Sequence, residues 1–236
     1  MTIPGRLPIS PAAAGPDPKP EERPEPRVKG RACGERYSTD LTVLHHPILR
    51  TIAVAVLMLE FFGGMYGSVV VLYMSRGLGF DPAVLTPIWA VGGVSSFVGA
   101  MLAGRVTRAL GVGPTMIGCL LMSTIGALFI PLAEGATLVS AGLLIAAQLT
   151  SDPANTAYEI NRVSLLLSVA PPQVLGRVNA STRFVGLGAT LLGTLLGGLL
   201  GERLGLRSTL FLAAGGALLP AAWLFLSPVR RLRAAV

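Results

Sequence analysis

Charge is scarce in this sequence. Only 13% of its 236 residues are Asp, Glu, Lys or Arg, about half of what soluble domains carry, so a water-facing surface is not what this composition builds. Cysteine and histidine are scarcer still, at two each. Cys33 and Cys119 lie far apart without metal or redox spacing, which implies no disulfide framework and two free thiols. His45 and His46 are adjacent, but nothing nearby completes a ligand set, and no metal site is expected. HExxH, GxSxG and the phosphate-cradling GxxxxGK[ST] loop are all missing. A metalloprotease, a serine hydrolase and an ATP-driven pump are therefore without their machinery, and neither enzymatic activity nor a cofactor is expected. The formal charge is +7, yet the basic residues are not gathered into a patch that would suit nucleic acid.

What fills the chain instead is apolar. Hydrophobic residues make up 52% and the mean hydropathy is +0.66. Six apolar runs stand at about 51–74, 82–103, 112–133, 136–158, 184–201 and 208–226. Crossing a hydrocarbon layer of roughly 30 Å takes about 20 helical residues, and the runs have close to that length. Strict alternation, the mark of membrane strands, is absent. In lipid a spanning segment must satisfy its own backbone hydrogen bonds, so runs of this length predict helices. The expected fold is all-α, a polytopic bundle of six transmembrane helices. Residues 1–40 hold eight prolines among scattered charges and too little apolar surface to offset chain entropy, which predicts a disordered tail. Between them, Leu41 to Leu49 reads as an interfacial helix ended by Pro47.

Arg and Lys set the expected orientation. Lys29, Arg31, Arg36 and Arg50 precede the first run, and Arg105 and Arg108 follow the second. Arg162, Arg177 and Arg183 follow the fourth, and Arg230, Arg231 and Arg233 close the chain. The opposite side carries only Arg76, Arg203 and Arg207. The asymmetry predicts a multi-pass protein of the cytoplasmic membrane with both termini, and hence the tail, in the cytoplasm. Helix contacts in lipid need small residues in register, and three stripes qualify: Gly63 and Gly67; Gly92, Ser96, Ala100 and Gly104; and Ala189, Gly193, Gly197 and Gly201.

Few residues can carry chemistry. Glu60 lies about ten residues into the first run, near the bilayer midplane at 1.5 Å per residue. A carboxylate there is costly unless it is protonated or faces a wet interior, which makes Glu60 the proton-coupling candidate, with a structural hydrogen-bonded carboxylate as the alternative. The fourth run is the other polar one. Gln148, Asp152, Asn155 and Tyr158 are the cavity candidates, although Asp152 and Asn155 read equally well as a solvated helix end beyond a break at Pro153.

Several of these residues fall into a pattern that resembles exporters of the major facilitator superfamily, closest to the enterobactin-exporter-like branch. The pattern comprises Tyr158-Glu159-Ile160-Asn161-Arg162-Val163-Ser164-Leu165, Pro171-Pro172, Gly176-Arg177-Val178-Asn179-Ala180-Ser181, the run Gly201 to Arg207, and His46-Pro47-Ile48-Leu49-Arg50. Leu102-Ala103-Gly104-Arg105-Val106-Thr107-Arg108 resembles the family's cytoplasmic loop motif, with Gly104 where an Asp is usual and Thr107 in place of a Gly. The resemblance covers residues 41–233 and only the second six-helix half of such transporters. It implies a membrane domain over 41–233 and proton-coupled efflux of small molecules. It also implies Arg105, Arg108 and Arg177 as gate or loop residues, membrane lipid as surroundings, and either a homodimer or a separate first-half chain as partner. The alternative is a transport-incompetent membrane or interaction protein, a remnant of such an exporter.

Overall fold

A computed structural model describes residues 47–169 and 172–227. The proline-rich tail, most of the stretch before α1, both histidines and Cys33 lie outside the described residues. The first helix, α1 (Pro47–Leu72), includes Pro47 rather than following it, and passes into a π-helical turn at Tyr73–Gly77. There Leu78 N–H reaches the Tyr73 carbonyl at 2.8 Å, and the absent side chain of Gly77 leaves room for the Tyr73 ring. The Tyr73 hydroxyl donates to the Ala133 carbonyl at 2.8 Å, which pins the turn to the rest of the bundle.

Helix α2 (Pro82–Leu110) starts behind Asp81, whose carboxylate accepts from Ala83 N–H at 2.8 Å, a side-chain cap on a helix whose first turn tolerates proline. It ends at Gly111, where φ is 91°, a left-handed value that favours glycine. Helix α3 (Val112–Leu132) follows at once. After a short turn in which Thr137 accepts from Ser140 N–H at 3.2 Å, α4 (Leu138–Val169) runs for 32 residues straight through Pro153. No break occurs there, so Asp152 and Asn155 lie in mid-helix, not at a helix end. Helix α5 (Pro172–Leu204) has 33 residues, and the stretch expected to link two helices is largely helical itself. Gly205, with φ 87°, turns the chain into α6 (Leu206–Gly216), which is interrupted at Ala217 and resumes as α7 (Leu218–Leu226).

Five segments are long and apolar enough to cross a membrane: Arg50–Gly77, Ala83–Leu110, Val112–Leu132, Asn179–Leu204 and Leu206–Leu226. The last joins α6 and α7. Helix α4 is long enough as well, at about 48 Å for 1.5 Å per residue, but its polar residues lower its hydropathy. The protein is thus an all-α, polytopic membrane protein, and among the described residues there is no strand. Large side chains point outward along it, with Phe97 68% and Phe184 79% exposed. In water such a belt would drive aggregation; hydrocarbon is its natural solvent.

The passes form two groups of three. Helix α1 packs along α5 and against α6 and α7, while α2 and α3 both pack along α4. Helix α3 bridges the groups through α6 and α7. Toward the α3–α4 turn the core holds Val69, Tyr73, Met74, Leu85, Leu144 and Leu210. Toward the α2–α3 turn it holds Ile52, Val56, Met116, Leu120, Leu165 and Leu224.

Glycine sets the closest approaches. A Cβ on Gly193 would collide with the Phe61 carbonyl oxygen, and one on Gly197 would lie 2.6 Å from the Met65 carbonyl oxygen. Gly201 faces the Val69 and Leu206 side chains. On α1 the residue in contact is Gly64, against the Thr190 backbone, whereas Gly63 and Gly67 have nothing within 4 Å. On α2 the tight positions are Gly92 and Gly99; Ala100 and Gly104 are exposed. Gly92 of the expected α2 stripe is thus a contact, while the other close approaches fall one residue before or after the expected ones, at Gly99 for Ala100 and Gly64 for Gly63.

Candidate functional site

Glu60 sits about 15 Å from Arg50 along α1, at 1.5 Å per residue, so well inside the Arg50–Gly77 span. Its side chain is exposed on the open side of the α1–α5 seam. Sequence offered it no local partner; the fold supplies one from 130 residues away. Thr190 Oγ1 donates to Glu60 Oε2 at 2.7 Å. The same hydroxyl also lies 3.1 Å from the Gly186 carbonyl, one turn back on α5. Gly186 is where α5 makes room for the carboxylate, because a Cβ there would stand 3.3 Å from Glu60 Cγ. Below it, Thr194 Oγ1 donates to the Gly64 carbonyl at 3.4 Å. The row Gly186, Thr190 and Thr194 at four-residue steps was the available signal for this partner, since such residues share one helix face.

Across the gap from α1, α4 presents an ion pair. Arg162 Nη2 lies 2.6 Å from Glu159 Oε2, and Arg162 Nε reaches the same carboxylate at 2.9 and 3.2 Å. Glu60 is exposed on α1 and the Glu159–Arg162 pair stands on α4, two helices that touch at few positions.

The four α4 candidates do not converge on Glu60. Gln148 is buried at 6% exposure, and its backbone carbonyl accepts from Ser95 Oγ at 3.0 Å. Asp152 is half-buried beside it. A Cβ on Gly92 would strike the Asp152 carboxylate and come within 2.6 Å of the Gln148 amide nitrogen, so both side chains lie over the α2 backbone. Asn155 is exposed and accepts from Ser123 Oγ at 2.7 Å, which ties α4 to α3. Tyr158 is buried among Ile52, Met116 and Leu224, and among the described residues its hydroxyl has no hydrogen-bond partner. Arg105 and Arg108 are exposed near the end of α2, and Arg177 falls within α5. Among the described residues no cluster of His, Cys, Asp and Glu could hold a metal ion.

Five helices long and apolar enough to cross a membrane, with a long polar helix among them and large apolar side chains facing outward, define a multi-pass membrane protein. The sequence matches the family model of the Major Facilitator Superfamily over residues 21–235, and the chain belongs to that superfamily. A search of curated proteins finds no match. Membership makes the chain a membrane transporter in a lipid environment with small molecules as its substrates.

Proposed function

We propose that the protein takes part in proton-coupled efflux of small molecules across the cytoplasmic membrane, with Glu60 as the proton-carrying group. The observation that supports this most is the Glu60–Thr190 hydrogen bond at 2.7 Å inside the span. A carboxylate in that position is stable when it is hydrogen-bonded and faces a wet interior, and Glu60 is both hydrogen-bonded and exposed. Ionised, Glu60 accepts the Thr190 hydrogen. Protonated, it needs none from Thr190, and the hydroxyl turns to the Gly186 carbonyl. Proton binding is thereby linked to a contact between α1 and α5. In this reading the six passes correspond to the second half of an exporter of the enterobactin-exporter-like branch, paired with a complementary six-helix unit, either a separate chain or a second copy. Both termini are then cytoplasmic.

The test is substrate flux driven by a pH gradient in proteoliposomes, with the chain in its complete transporter. Glu60→Gln keeps shape and hydrogen-bonding capacity but cannot ionise. It is expected to fold, to retain downhill exchange and to lose uphill accumulation. Wild-type accumulation in Glu60→Gln would remove Glu60 from the mechanism. No flux by wild-type protein in any pairing would favour the second reading, a membrane interaction protein. That reading draws its support from the large exposed area of α5, the least covered of the five apolar spans at 17% buried.

A further inference from the structure

Two tyrosines of α1 reach carbonyls at the end of α3. Tyr66 Oη donates to the Ala127 carbonyl at 3.0 Å, and Tyr73 Oη to the Ala133 carbonyl at 2.8 Å. The two helices do not pack along one another, so these side chains bridge between them. The spacings match. Seven residues on α1 and six on α3 rise about 10.5 and 9 Å at 1.5 Å per residue, and a step of seven keeps both tyrosines on one helix face.

Helix α3 needs these donors. Pro131 lies inside it and has no N–H, so the Ala127 carbonyl lacks the partner that a helix supplies four residues on. Ala133 is the C-cap and is fully buried, where its own carbonyl lies past the last turn. A backbone group left unpaired inside a membrane is costly, and neighbouring helices are what satisfies it. Between the two tyrosine bonds, α6 does the same: Arg207 Nε donates to the Pro131 carbonyl at 2.9 Å.

At the opposite end of the bundle, Tyr158 of α4 is 3% exposed among residues of α1, α3 and α7. Among the described residues its hydroxyl has no partner. That contact is made by apolar packing, which fixes no direction. The two ends of the bundle thus hold α1 by different physics, directional bonds at one and smooth packing at the other.

We propose that Tyr66 and Tyr73 form a tie between the two groups of three passes, fixing their spacing at the α3–α4 turn so that they rock about this end. The tie joins α1, of the group that packs with α5, to α3, of the group that packs with α4. The inference rests on the fold alone and stands whatever Glu60 carries.

The test uses the full chain in mild detergent with Cys33 and Cys119 replaced by serine. Nitroxide labels are placed at Glu202→Cys on α5 and Leu138→Cys on α4, both exposed, one on each group and neither on the tie. Their distance distribution is expected to be at least twofold wider in Tyr66→Phe/Tyr73→Phe than in wild type. Tyr158→Phe makes the same chemical change where no bond is lost, and it is expected to keep the wild-type width and melting temperature. Tyr66→Phe alone is expected to melt about 2–4 °C lower, one net hydrogen bond in a chain of this size. In a Pro131→Ala background, which restores an N–H four residues past Ala127, that loss is expected to fall by half or more. A wild-type width in the double variant overturns the proposal. So does equal widening by Tyr158→Phe, or a Tyr66→Phe loss that is the same in both backgrounds, since ring packing alone would then account for it.

Discussion

Thr190 has one hydroxyl hydrogen and two acceptors, Glu60 at 2.7 Å and its own Gly186 carbonyl at 3.1 Å. A hydrogen bond to a charged group contributes about 1.5–3 kcal/mol against about 1 for a neutral one, so the ionised carboxylate wins the hydrogen. Thr190→Val keeps the shape and removes the choice. The expected result is a folded protein whose uphill accumulation falls about tenfold, since about 1.4 kcal/mol is a factor of ten, with downhill exchange unchanged. Accumulation equal to wild type in the same flux assay would leave Thr190 a packing residue. Sequence pointed to Glu60 because an acid inside an apolar run is conspicuous by itself. It could not point to Thr190, because a threonine in a helix is ordinary until the residue opposite it is known. The α4 candidates show the converse. Gln148, Asp152, Asn155 and Tyr158 stood out by polarity alone, and all four turn toward α2, α3 or the apolar core instead of Glu60. The fold had to decide which polar residues share a face.

The seam between α1 and α5 depends on glycine at the positions where the two backbones nearly touch. Gly197 and Gly198 make an internal comparison, because the first faces Ser68 and Met65 while the second has nothing within 4 Å. Gly197→Leu is expected to cost about 1–3 kcal/mol or more, the range for overpacking a tight contact, and to lower the melting temperature in mild detergent. Gly198→Leu is expected to leave it nearly unchanged. Equal effects would mean that the seam is looser in the protein than its geometry implies. The stripe on α5 was legible because Gly193, Gly197 and Gly201 keep a strict four-residue step. Those on α1 and α2 were only partly so: Gly92 was readable, but Gly63-Gly64 and Gly99-Ala100 each offer two faces, and only the neighbouring helix selects one. Span ends were equally hard to read. Hydropathy marks the part of a helix that lies in hydrocarbon, whereas α4 and α5 continue past it on hydrogen bonds that apolarity does not reveal.

For the whole molecule, the Arg distribution carries a prediction about placement in the membrane. A reporter fused after Val236 is expected to be cytoplasmic, and one inserted at Glu134-Gly135, in the α3–α4 turn, to be external. A cytoplasmic reporter at Glu134 would invert the bundle. The all-α polytopic fold was the most legible property of the sequence, because length and hydropathy alone mark five segments that can cross lipid; α4, with its polar residues, is the pass that hydropathy marks least. The pairing of the helices was not legible, and it bears on how the protein is made. Helix α1 leaves the ribosome before α2 to α5, but its main partner is α5, and Glu60 meets Thr190 only after 130 further residues. At roughly 5–20 residues per second, that interval is on the order of ten seconds. During it an acid inside a span waits beside lipid or the insertion machinery, while α2, α3 and α4 already have one another. Biogenesis of this protein therefore contains a built-in delay, and α1 is the segment that an insertion chaperone would have to hold.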